Sequence, residues 1–109
     1  MLSQIKKGQK IMREYKELIK RLKEQGFIDS EDEFYVYIEN RSLDGEECLK
    51  GTQSQDGKWL CIPIKRYDDF TDAVYYEPRC FEIHTRFQTY LKNDDMYYLV
   101  TAYLLYKEE

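Results

Sequence analysis

The sequence predicts an α+β fold in which an N-terminal amphipathic helix packs on an antiparallel sheet of four or five strands, all in one domain over residues 1–109. Three observations predict it. Apolar residues recur at three- and four-residue steps in the first part of the chain, the period changes to two from Glu33 onward, and the turn-forming stretches NRSLDG, SQDG and KNDD separate the alternating runs. A chain of 109 residues is large enough for one core and too small for two independent domains.

The helix is expected over about residues 2–25. Ile11, Tyr15, Leu18, Ile19 and Leu22 form its stripe, Ile5 and Met12 extend it, and Lys16, Lys20, Arg21 and Lys23 fall mostly outside it. Gly26 is a natural stop, because the residue just past a helix end often needs positive φ, and Phe27 can fold back on the last turn. The sheet is expected over about residues 33–106. Phe34, Val36 and Ile38 alternate with Tyr35, Tyr37 and Glu39, and a second strand follows at Glu46–Thr52. In Lys58–Lys65, Leu60, Ile62 and Ile64 alternate with Trp59, Cys61 and Pro63. Pro63 cannot donate to a ladder, so that strand or its end lies at an edge. In Cys80–Leu91 one face is Phe81, Ile83, Thr85, Phe87, Thr89 and Leu91, read as core. Met96–Tyr106 is apolar on both faces, which fits a central strand or a helix capped by Asn93 or Asp94, with tyrosines and β-branched residues favouring the strand.

Charge divides the chain. Residues 1–26 carry a balance of +5 and residues 27–109 a balance of −9, within a net −4. The acidic body argues against direct nucleic-acid binding, and a stripe without Trp or Phe argues against a membrane surface. Cys48, Cys61 and Cys80 are odd in number and form no CxxC pair, so neither a disulfide framework nor a zinc site is expected. The absence of a secretory pattern points to a cytoplasmic protein with reduced thiols.

Motifs for catalysis are missing. His84 is the single histidine and shares a strand face with Cys80, but residues four apart on a strand lie ~13 Å apart, too far for a nucleophile and its base. Asp29, Glu31, Asp32 and Glu33 read as a solvated turn, and neither they nor DGEE at 44–47 supply the ligand series of a calcium loop. No glycine-rich phosphate loop, GxSxG or HExxH is present. A non-enzyme with no cofactor and no metal is therefore expected.

Aromatic residues are the stronger clue. Eleven tyrosines and one tryptophan exceed what one small core needs. Tyr35, Tyr37 and Trp59 lie opposite the assigned core faces and are candidates to line a small-ligand site. The stretch YDDFTDAVYYE combines Tyr67, Phe70, Tyr75 and Tyr76 with Asp68, Asp69, Asp72 and Glu77 and has no Lys or Arg. Asp69 and Asp72 have the spacing of a helix cap, and an extended Ala73–Glu77 segment fits nearly as well. These carboxylates have no nitrogen or sulfur partner for metal or acid–base chemistry, so the stretch reads as a contact surface for a protein partner.

In composition, a short, acidic, tyrosine-rich domain is similar to small accessory proteins of phages and mobile elements, including anti-CRISPR proteins and inhibitors of restriction and other host nucleases. That resemblance implies an acidic, aromatic surface occupying a basic groove on a nucleic-acid-handling host enzyme. The functional expectation is a non-enzymatic protein-interaction module, with a small-ligand binder as the alternative. An edge strand and spare aromatics can equally seat a second copy of the chain as a homodimer.

Overall fold

The computed structural model describes residues 2–39 and 41–107, with side chains from residue 12 onward. Helix α1 spans Leu2–Glu24. It buries Leu18, Ile19 and Leu22 and half-buries Tyr15, the stripe that the spacing predicts; the side chains of Ile5 and Ile11 lie outside the described residues. Met12 departs from the expectation and is exposed, with its sulfur lying over Gly45. Lys16, Lys20 and Lys23 are solvated. Each buried Leu or Ile is worth about 1.5–3 kcal/mol, whereas an exposed ion pair such as Arg21–Glu17 is worth at most about 1, so the apolar face holds the helix in place. The helix stops as expected, with Phe27 N–H donating to Leu22 O (2.9 Å) and Gly26 at φ 79°. Phe27 then meets Phe87 of the sheet edge-on, with ring centroids 4.7 Å apart.

The strands are β1 (Phe34–Ile38), β2 (Ser42–Leu43), β3 (Glu46–Glu47), β4 (Thr52–Gln53), β5 (Trp59–Asp68), β6 (Ala73–Asn93) and β7 (Met96–Tyr106). They form one antiparallel sheet of seven strands in the order β3-β2-β1-β7-β6-β5-β4, not the four or five expected. The excess has two sources. NRSLDG is not all turn, because Ser42–Leu43 pairs with β1 and β3 around Asp44-Gly45, both at positive φ (50° and 85°). The strand expected at Glu46–Thr52 is split into β3 and β4. Pieces of two residues are too short to show a period.

Both ends of the sheet lie along β5. Thr52 and Gln53 pair with Cys61 and Leu60, Cys48 bridges to Ile64, and Leu49 N–H donates to Pro63 O (2.9 Å). Lys65–Glu47 (2.9 Å) and Arg66–Glu46 (3.3 Å) continue the seam as ion pairs. The sheet thereby curls into a small barrel. Gly51 lies in the seam where a Cβ would fall 3.0 Å from Leu60 Cδ1, and its N–H donates to the Tyr37 hydroxyl at 2.7 Å.

Curling produces two cores. One, under α1, contains Leu18, Ile19, Leu22, Val36, Ile38, Phe87, Leu91, Val100, Ala102 and Leu104; the other, inside the barrel, contains Tyr37, Leu43, Cys48, Leu60, Ile62, Ile64, Phe81, Tyr103 and Leu105. Strand β7 lies between β1 and β6 and serves both, which is why its two faces are apolar and why it is a strand and not a helix. The single core face expected for Cys80–Leu91 is corrected in the same way. Ile83 pairs with Leu105 but Thr85 with Leu104, so an extra residue at His84 makes a bulge. Phe81 and Ile83 belong to the barrel core, Phe87 and Leu91 to the core under α1.

Candidate protein-interaction surface

The stretch 67–77 is the tip of the β5–β6 hairpin. Tyr67 pairs with Val74 and Asp68 with Ala73 around a turn at 69–72, so the helical turn weighed for this stretch does not form and the extended alternative does. Asp68 Oδ1 accepts a hydrogen bond from Phe70 N–H (2.9 Å), and Asp72 takes φ 57°, a conformation that aspartate tolerates better than most residues. Phe70 at the apex is 101% exposed, as free of contact as a side chain can be.

Register assigns the predicted residues to two faces. On a strand, alternate side chains share a face, and directly paired residues share it too. Tyr67 and Tyr76 therefore lie on an outer face with Val74, Pro63, Pro78 and Trp59. Tyr67, Val74, Tyr76 and Trp59 are all exposed, and together they make an apolar stripe from root to tip. Asp68, Tyr75 and Glu77 lie on the opposite face with Arg66, whose Nε is 3.1 Å from Glu77 Oε2, so Glu77 is already charge-paired. Asp69, Phe70 and Asp72 occupy the turn between the faces. Pro63 is on the face that the alternation of Lys58–Lys65 gives to Trp59; Val74 and Pro78 join it only once that alternation is continued to Tyr67 and across the hairpin.

The edges of the hairpin matter as well. Ile83 N–H donates to Lys58 O (2.8 Å), which makes that pair hydrogen-bonded. Counting along the register makes Pro63↔Pro78 a pair without mutual hydrogen bonds, so each proline's missing N–H faces outward from the hairpin and the ladder is intact. The outer edge of β6 over 73–82 has no strand beside it, because β7 pairs only with 83–93. Pro78 interrupts that edge and hinders addition of a further strand.

Tyr35, Tyr37 and Trp59 have three different surroundings. Tyr37 is buried and its hydroxyl holds Gly51, while Tyr35 is half-buried against Phe81 (5.2 Å between centroids) with Arg79 and Lys107 over its ring. Trp59 lies on the hairpin. Tyr37 alone of the three lines a cleft of about 410 Å3 beside Tyr103 and Gln53. His84 is stacked on Phe34 (4.6 Å, 8°) with Nδ1 2.9 Å from the Tyr106 hydroxyl, and is thus held by aromatic neighbours. Among the described residues no group of three or more His, Cys, Asp or Glu is arranged to hold a metal. No described helix is long and apolar enough to cross a membrane.

A group of basic residues lies elsewhere. Lys16, Lys20 and Arg21 of α1 and Lys92 of β6 line a cleft of about 580 Å3 with Glu14, Glu17 and Tyr98, near the end of β6 opposite the hairpin tip. No protein-family model, no curated protein and no solved structure matches the chain.

Proposed function

We propose that the protein is a non-enzymatic interaction module whose β5–β6 hairpin docks on a partner protein. The observation that carries this reading is the tip itself, where a fully exposed Phe70 and the exposed Tyr67, Val74, Tyr75 and Tyr76 stand among Asp68, Asp69 and Asp72. An apolar side chain presented at a turn has nothing to gain in water and about 1.5–3 kcal/mol to gain on full burial in a pocket. Acids around it suit a basic groove, of the kind that nucleic-acid-handling enzymes present, and would speed approach to it. Together with the compositional likeness to small phage and mobile-element proteins, this favours an inhibitor of such a host enzyme. Pro78 on the open edge favours contact through side chains over strand addition.

The test is comparative capture from host lysate by the native chain, a Tyr75→Ala/Tyr76→Ala variant and an Asp68→Lys/Asp69→Lys variant. A protein held by the native chain and lost by both variants supports the proposal. An identical catch from all three, an empty one, or self-association alone rejects it.

A further inference from the structure

Cys61 and Cys80 are direct partners across β5 and β6. The phase set by the Ile83–Lys58 hydrogen bond makes theirs a non-hydrogen-bonded pair, the kind in which opposing Cα atoms are about 4.5 Å apart and side chains are closest. That separation lies within the ~4.4–6.8 Å span of disulfides. The Cys80 thiol opposite it pushes the Cys61 thiol above its ordinary range. Access differs among the cysteines: Cys80 is exposed, Cys61 half-buried and Cys48 buried. Pro63 and Pro78 flank the pair toward the tip, and both cysteines lie on the face opposite the buried Leu60, Ile62 and Phe81.

We propose that Cys61 and Cys80 form a reversible intramolecular disulfide by exchange with a small-molecule disulfide such as glutathione disulfide. The exposed Cys80 loses its proton to solvent, and its thiolate attacks one sulfur of the oxidant. A mixed disulfide forms and one glutathione thiolate leaves, taking up a proton. Cys61 then loses its proton and attacks Cys80 Sγ, expelling the second glutathione. Two protein thiols are oxidised and one disulfide is reduced to two thiols, so atoms and electrons balance. The bond closes a ring of about 20 residues that contains the whole tip, and it fastens the hairpin root. The inference stands on register and exposure and does not depend on the partner reading.

The full chain is equilibrated with graded mixtures of oxidised and reduced glutathione, alkylated, and analysed by intact mass and non-reducing peptide mapping. The expected result is a monomer that loses two thiols together, with a 61–80 cross-link, Cys48 alkylated only after unfolding, and a melting temperature raised by roughly 10 °C. Cys48→Ser retains the cross-link, and Cys61→Ser stops at a glutathione adduct on Cys80. A native chain that stops at the same adduct, links through Cys48, forms disulfide dimers, or keeps all thiols in excess oxidised glutathione overturns the proposal.

Discussion

Ile83 and Phe87 stand four residues apart on β6 and serve different cores, Ile83 half-buried against the barrel core and Phe87 buried under α1. The bulge at His84 between them does this, since one extra residue reverses the face of everything after it. Deleting His84 removes only the extra residue, leaving Ile83 opposite Leu105 and Thr85 opposite Leu104 in a regular ladder with both cores filled. The expected outcome is a cooperative urea transition that is retained, with stability changed by no more than about 1–2 kcal/mol. His84→Ala keeps the residue count, loses only the stack on Phe34 and the Tyr106 bond, and is expected to cost about 1 kcal/mol.

Gly51 is required by space and not by φ. A methyl there meets Leu60 at 3.0 Å and 3.1 Å and Ile62 at 3.3 Å, and both are buried side chains with nowhere to go. Gly51→Ala is expected to destabilise the fold by about 1–3 kcal/mol in urea titrations. Gly26→Ala, with open space but φ 79°, is expected to cost about 1 kcal/mol through backbone strain alone.

Glu14 is a buried carboxylate on the helix face that meets the sheet. Arg41 Nε lies 3.2 Å from its Oε2 but is not aimed at it, so the contact is charge pairing without an aligned hydrogen bond. Removing Arg41 takes the cation away from a buried charge. Arg41→Met is expected to cost about 1–3 kcal/mol, less than for a fully buried pair because Arg41 reaches solvent, and Glu14→Gln in the same chain is expected to restore much of it. Equal losses in the single and double variants would argue that the pair is inert.

Stability should fall in alkali. Burial, aided by Glu46, pushes the Cys48 thiol from its ordinary 9.0 up to about 12, so above pH 9 the folded state keeps a proton that the unfolded state releases. The contribution is full below pH 9 and is lost as pH rises toward 12. Tyr15 acts in the same direction above its ordinary 10.0, through burial and then Asp44. Between pH 8 and 10.5 the native chain is expected to lose roughly 1–2 kcal/mol more than Cys48→Ala, read from urea midpoints.

The helix, its Gly26 stop and the strand alternations were legible because each rests on a local period or a single backbone requirement. Barrel closure was not, since Ser42–Leu43 and Thr52–Gln53 are too short for a period and their pairing is decided by distant strands. The run from Phe81 to Leu91 misled for a different reason: its alternation is unbroken although the face it serves changes at His84. Tyr37 looked outward for the same cause, because a second core occupied the face assigned to solvent. At the hairpin, composition singled out the tip residues, but only the register separates the stripe of Tyr67, Val74 and Tyr76 from the ionic face of Arg66 and Glu77.

The docking claim rests most heavily on Phe70, which touches nothing in the free protein and whose replacement cannot disturb either core. The most direct measurement is the equilibrium affinity of the captured partner for the native chain and for Phe70→Ser, with the melting temperatures of both. The account predicts an unchanged melting temperature and an affinity at least about tenfold weaker, the loss of one apolar anchor. An affinity unaltered by Phe70→Ser would contradict it.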